Sequence, residues 1–240
     1  MALKDSIVAY YKVDENTGTT MADSVRTSPD VIPDGTLKGT TIPVWEAGKI
    51  NYALNYQGGT LGSVSSYVSL PVTSSFTFGT GDFTISFWVN HNNTSSNITF
   101  WDSGYDQAAG VLIEYRTIAT TRFNIYTNGG AADTFNTTLN ANTWYHVVVR
   151  RISTTLEVFV NASSLGTVSN SENLGNSNNL VYIGRYAGVT GIENLNGLID
   201  ELGIWKGKGL SNTEITTLYN NGNGLQYPFG GGNFFKLLRR

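Results

Sequence analysis

Short segments in which apolar and polar residues alternate recur along almost the whole chain, each bounded by Gly, Asn, Ser or Thr. This repetition constrains the fold more than any other feature. The segments fall at residues 7–13, 52–57, 67–70, 83–91 and 98–101, and continue at 111–116, 123–126, 144–151, 156–160, 180–184 and 195–205. In FTISFWVN, Phe83, Ile85, Phe87 and Val89 share one face, and Thr84, Ser86, Trp88 and Asn90 the other. A period of two with one apolar face is the signature of a half-buried strand. Many such strands with turn residues between them predict an antiparallel β-sandwich or barrel. Composition agrees: 27 of 240 residues are Gly and only 14% are charged, against about 7% and about 25% in ordinary domains. The abundant Asn, Ser and Thr favour turns and strands over helix interiors. With 40% hydrophobic residues the chain is too apolar to be disordered.

One helix is expected, over residues 211–221. Ser211 is placed as N-cap with Glu214 three residues on, a capping box, and Ile215, Leu218 and Tyr219 share a face before Gly222. No Pro-rich linker divides the chain, so residues 1–229 read as one domain. After Gly230–Gly232 comes NFFKLLRR, an apolar and basic tail at 230–240 that does not continue the β pattern. Phe234, Phe235, Leu237 and Leu238 form a cluster too short to fold alone, and are expected to dock on a neighbouring subunit.

Net charge is −3, with no basic excess to hold a phosphate backbone, so nucleic acid is not an expected partner. Cys is absent, which excludes disulfides, thiolate zinc and a Cys nucleophile. The opening MALKDSIVAYYKVDENTG has no long apolar run and reads as neither signal peptide nor membrane anchor, and no transmembrane segment is expected.

Several segments in order resemble the laminin-G-like branch of the concanavalin A-like lectin/glucanase superfamily. IVAYYKVDENTGTTMADS is similar to its first strand and Asp-Ser turn, at Asp23-Ser24. GKINYALNYQGGT and SYVSLP are similar to the next two strands, and GDFTISFWVN to the long Trp-bearing strand. NTWYHVVVRR with LEVFVN resembles the Trp–His strand and its hairpin; LVYIGR and NGLIDELGIWKGKGLSNTEITTLYNNG resemble the closing strands and end helix. The resemblance covers about residues 6–222 and implies an all-β, antiparallel two-sheet jelly roll with one short C-terminal helix. Asn161-Ala162 stands where the family has an Asn-Gly turn. Ala tolerates positive φ poorly, so a longer loop through Ser163-Ser164 is expected there.

Catalysis is not expected. A glycosidase on such a fold places two carboxylates on alternate residues of one strand, about 5–5.5 Å apart if retaining, and no Glu-x-Asp-x-x-Glu run is present. Asp200-Glu201, being adjacent, are expected to point to opposite faces. His91 and His146 lie near no Gly-x-Ser-x-Gly elbow. Oxygen-rich groups suit calcium, which the resemblance implies as a cofactor. Asp23 and Asp200 are the candidate ligands, brought together because the family's first and last strands run side by side, with Asp102 as a second candidate at the rim. The alternative is that Asp23 makes an Asx-turn and Asp200 bonds buried backbone. Glycan binding needs an aromatic face beside polar groups, and Trp101, Tyr105, Arg185 and Tyr186 are the residues assigned to it. The expected function is a non-catalytic adhesion, assembly or recognition module. A virion surface or fibre subunit docking through its tail is the leading setting. A calcium-assisted lectin of a secreted bacterial protein and a divergent glycoside hydrolase are the alternatives.

Overall fold

The computed structural model describes residues 2–26, 32–58, 66–71, 73–92, 97–104, 109–117, 119–175, 180–187 and 193–229. Among them sixteen strands form two antiparallel sheets. The first eight are β1 (Ile7–Tyr11), β2 (Thr20–Met21), β3 (Gly35–Lys38), β4 (Val44–Ala47), β5 (Tyr52–Gln57), β6 (Tyr67–Pro71), β7 (Phe83–His91) and β8 (Ile98–Asp102). Then come β9 (Val111–Arg116), β10 (Arg122–Thr127), β11 (Asp133–Asn136), β12 (Tyr145–Ile152), β13 (Thr155–Val160), β14 (Ser163–Ser169), β15 (Leu180–Ile183) and β16 (Asn196–Lys206). Helix α1 (Asn212–Tyr219) follows. Sheet I runs β14-β13-β12-β7-β16-β5-β4, with β1 also on β16. Sheet II runs β11-β10-β9-β8-β15-β6-β3-β2. This is the expected two-sheet sandwich.

The alternating pattern sets the interior. Phe83, Ile85, Phe87 and Val89 of β7 all enter the core between the sheets, where they meet Phe100, Ile113, Phe123 and Ile183 from sheet II. Phe78 stacks on Phe83 with ring centroids 4.5 Å apart, and Phe87 meets Phe100 at 5.2 Å. A second apolar cluster covers the outer face of sheet I: Val148, Phe159 and Trp205 lie under Ile215 and Leu218 of α1, with Leu3 from the N-terminal end and Phe229 from the other. The Trp205 indole N–H donates to the Leu3 carbonyl at 2.7 Å. The helix carries its capping box, Ser211 with Glu214, and ends at Asn220 in the left-handed region at φ 49°.

Two buried arginines fasten loops to the sheet. Arg151 is fully buried and donates to the carbonyls of Gly79, Gly81 and Glu172 at 2.6–2.8 Å. Arg150 bonds Glu157 at 2.7 Å and the Leu210 carbonyl, and lies over the Phe159 ring. A buried charge removed from its partner is strongly destabilising, so these two cations fix the 79–82, 170–172 and 208–210 segments to β12.

The β13–β14 connection differs from expectation. β13 ends at Val160 and β14 begins at Ser163, opposite it, so the turn has two residues. Both are left-handed, Asn161 at φ 51° and Ala162 at φ 63°, the geometry of a tight hairpin turn. Asn161 is held to β12 from two sides: its N–H donates to the His146 carbonyl at 2.8 Å and its Oδ1 accepts from the His146 N–H at 2.9 Å. The register and this clasp together force Ala162 into a conformation costing about 1–2 kcal/mol in an L-residue. Ala162→Gly is therefore expected to stabilise the protein by about 1 kcal/mol, a rise of about 2–4 °C in Tm for a chain of this size, read by thermal melting; an unchanged or lower Tm would contradict the strain.

Candidate functional site

The two outer faces differ in chemistry. That of sheet I is closed over by α1 and the chain ends. That of sheet II carries side chains that alternate with the core residues, in rows set by the strand register. One row is Thr36, Ser69, Tyr182, Asp102, Leu112 and Tyr126. The next is Thr99, Glu114, Asn124 and Thr134. A third holds Arg116, Arg122 and Asn136. The outer side is thus polar across several strands: Ser69, Thr99, Asp102, Glu114 and Asn124 are buried, and Tyr126, Tyr182, Arg116 and Arg122 are half-buried.

Asn124 organises its middle. Its side-chain amide donates to Glu114 Oε1 at 3.2 Å and to the Tyr126 hydroxyl at 3.1 Å, and its carbonyl accepts from Arg122 at 3.0 Å. The 193–195 segment flanks β8: the Thr99 N–H donates to the Glu193 carbonyl at 2.9 Å, and Asn97 donates to the Glu193 carboxylate at 3.2 Å. Burial first, and then the Glu193 charge, pushes the Glu114 carboxyl up to about 7. Two buried acceptors here, Thr99 Oγ1 and Asn97 Oδ1, have no partner among the described residues. A buried polar atom left unpaired costs about 1–3 kcal/mol.

At one end of this face the Arg185 guanidinium lies 4.9 Å from the Tyr67 ring and 5.2 Å from the Tyr182 ring. Tyr186 beside it is half-buried. Arg185 and Tyr186 were expected from the sequence. Tyr67 and Tyr182 were not, although their alternation with Val68 and with Val181 and Ile183 places them outward. Trp101 was expected on a ligand-facing loop and lies instead in the core, 1% exposed and edge-on to Phe76. A register shift between Thr99 and Trp101 turns Trp101 inward and Asp102 outward. Tyr105 and the tail residues Phe234, Phe235, Leu237 and Leu238 lie outside the described residues.

The assigned metal ligands have separate partners. Asp23 is buried, and its carboxylate accepts from the N–H groups of Tyr10, Val25 and Arg26 at 2.9–3.2 Å. Three backbone donors aimed at one carboxylate are the Asx-turn arrangement, the alternative to a metal ligand expected from the sequence. Asp200 Oδ2 accepts from the Ile50 N–H at 2.9 Å, and Oδ1 has no partner among the described residues. The loop passes so close that a Cβ on Gly48 would stand 2.8 Å from Asp200 Oδ2. Asp102 accepts from the Gly104 and Ala187 N–H groups, both at 2.8 Å. Among the described residues no three His, Asp or Glu side chains gather as a metal-binding group.

Asp200 and Glu201 do not point to opposite faces. Ile199 and Leu202 both enter the core, Glu201 is left-handed at φ 51°, and the register to β7 shifts between Asp200 and Gly203. This bulge puts both carboxylates on the outer face of sheet I. There Tyr10 donates its hydroxyl to Glu201 at 2.5 Å, and Gln226 donates to Glu201 and Asp14, both at 2.7 Å. The pair is covered by the 225–229 segment rather than open to a substrate. The other catalytic candidate, His146, is buried with Nε2 2.8 Å from Ser86 Oγ, and burial lowers it to about 3. Its Nδ1 has no partner among the described residues, so no acid completes a triad.

Burial, then repulsion from Glu201, pushes Asp200 up to about 9, and burial raises Glu201 to about 7. Acids whose values rise on folding are held protonated in the native state, so their contribution is complete below the unfolded value near about 4 and is lost as pH rises toward about 9. Urea melts are expected to show stability falling from pH 5 to pH 9, and Asp200→Asn to flatten that slope. A profile equally steep in the variant would show that the slope comes from elsewhere. Trp101→Ala is expected to cost about 3–5 kcal/mol by the same assay, as for a buried Trp; a cost within about 0.5 kcal/mol, that of an ordinary surface change, would place it at the surface.

The Laminin_G_3 family model, described as concanavalin A-like lectin/glucanases superfamily, matches residues 61–216. No curated protein matches the chain. Among solved structures, Domain 4 of AbnA, a GH43 extracellular arabinanase from Geobacillus stearothermophilus, in complex with arabinotriose, superposes with a TM-score of 0.65 at 18% identity, covering 88% of this chain and 97% of that one. The binding domain of botulinum neurotoxin DC in complex with rat synaptotagmin II gives 0.69 at 17% identity, covering 92% of this chain and 52% of that one. The same binding domain in complex with SialylT gives 0.69 at 16% identity, with the same coverages. The chain spans about half the length of those toxin chains, and at these identities the likeness is one of fold. The family match covers more than half of the sequence: the chain belongs to the concanavalin A-like lectin/glucanase superfamily.

Proposed function

We propose that the protein is a non-catalytic recognition module that binds a glycan on the outer face of sheet II. The observation that carries this reading is the polar outer face of sheet II, where half-buried Asn97 and Tyr126 stand beside the buried Thr99, Glu114 and Asn124, and two buried acceptors are unpaired among the described residues. Fixed hydrogen-bonding groups beside aromatic side chains are what sugar recognition requires. Extended strands hold such groups with little entropy to lose on binding. The Asp200–Glu201 pair does not favour a hydrolase reading, since both carboxylates are buried and Tyr10 and Gln226 occupy the oxygens of Glu201. The fold neighbours that hold arabinotriose or SialylT are in keeping with a glycan ligand, and the extracellular arabinanase with an extracellular setting. No described helix is long and apolar enough to cross a membrane. The virion-assembly reading rests on the tail at 230–240, which lies outside the described residues.

The test is a glycan array probed with the full chain, followed by titration of the best ligand. Tyr126→Ala is expected to weaken binding at least tenfold, about 1.4 kcal/mol, while Thr216→Ala on α1 leaves it unchanged. Binding lost in the α1 variant but kept in Tyr126→Ala would move the site to the other face. Release of reducing sugar by the wild type would overturn the non-catalytic assignment.

A further inference from the structure

Arg185 stands apart from the other well-placed cations of the fold. Arg150 and Arg151 spend their N–H groups on Glu157 and on backbone carbonyls, and Arg26 pairs with Asp34. Arg185 is in none of the ion pairs among the described residues. Its recorded neighbours are two rings, Tyr67 and Tyr182, whose centroids are 5.6 Å apart with planes at 65°. It is half-buried between them. The backbone just beyond it is pinned, because the Ala187 N–H donates to buried Asp102 at 2.8 Å. On the neighbouring strand Lys38 is directly opposite Tyr67 and exposed, a second positive charge on the same face.

We infer that Arg185, clamped by Tyr67 and Tyr182, is the subsite for the carboxylate of an acidic sugar. The inference rests on the glycan reading above and names its ligand class. Two rings cost the guanidinium its freedom without using its donors, so the fork is ordered before the ligand arrives. A planar fork of N–H donors matches the two oxygens of a carboxylate, and such charge-assisted pairs are about twice as strong as neutral ones. Asp102 does not compete, because its two oxygens already accept from Gly104 and Ala187. Lys38 adds attraction without geometry. A neutral sugar would gain nothing from this end of the face; a sialic or uronic acid would anchor there and extend toward half-buried Tyr126.

The experiment is calorimetric titration of the full chain with four probes: 3′-sialyllactose, its methyl ester, trigalacturonate and lactose. At least one acid is expected to bind ten times more tightly than lactose, and sialyllactose or trigalacturonate, whichever is preferred, identifies the class of acid. Arg185→Gln is expected to remove that preference, and Arg185→Lys to recover part of it. Equal binding of acid and lactose, or an acid preference that survives in Arg185→Gln, overturns the inference and leaves the glycan reading standing. No binding to any of the four, with a blank array, overturns both. Should Arg185→Gln fail to fold, the wild-type comparison decides for itself: an ester that binds as well as sialyllactose, beside a trigalacturonate no tighter than lactose, also overturns the inference.

Discussion

Strand β16 has to serve three neighbours. Along one edge it bonds β7 over nearly its whole length, and along the other it bonds β5 with its first half and β1 with its second. β5 and β1 approach from different parts of the chain and meet β16 end to end, and the ladder is broken between them. The break is the bulge at Asp200 and Glu201, and it determines much of what surrounds it. Two carboxylates emerge together where one was due, and they need cover. Tyr10, Gln226 and the 48–51 turn supply it, which is why the segment after α1 runs back across the sheet instead of leaving it.

From that closure follows the division of labour between the two faces. Sheet I invests its outward side in stability: a stack of His146, Trp88 and Tyr219, with Lys49 over the Trp88 ring, then α1 and the aromatic end at Tyr227 and Phe229. Among the described residues no helix lies over sheet II, whose outer side keeps a patterned set of polar side chains, most of them buried. A sandwich needs only one inner face per sheet to make its core, so the second outer face is free to carry chemistry. Here it carries amides, carboxylates and tyrosines in register.

Much of the fold was legible because alternation and burial coincide. Strands β5, β7 and β9 have the bounds the pattern predicts, and the capping box marks the start of α1. Strands β3, β4, β11 and β14 escaped because they lie at or near the sheet edges and bury few of their residues; period-two reading needs one apolar face. The site was less legible, for a single physical reason that appears twice. A bulge adds one residue and reverses every face beyond it. Before Trp101 it exchanged an expected ligand aromatic for Asp102, and at Glu201 it joined two carboxylates that strict alternation separates. Tyr67 and Tyr182 involve no bulge; alternation alone places them outward, and only the folded sheet shows that they share Arg185.

The aromatic covering of sheet I also sets a direction. Leu3 and Phe229, close to the first and last described residues, both sit in that covering, against Trp205 and Tyr10. The stretches at Leu3 and Phe229 therefore lie on the same side of the molecule, with the whole thickness of the sandwich between them and the outer face of sheet II. A support joined at either end holds the module from behind and points sheet II outward. If sheet II binds as proposed, neighbouring copies fixed this way on a crowded surface would present it in parallel, so that weak single contacts could act together on a multivalent ligand.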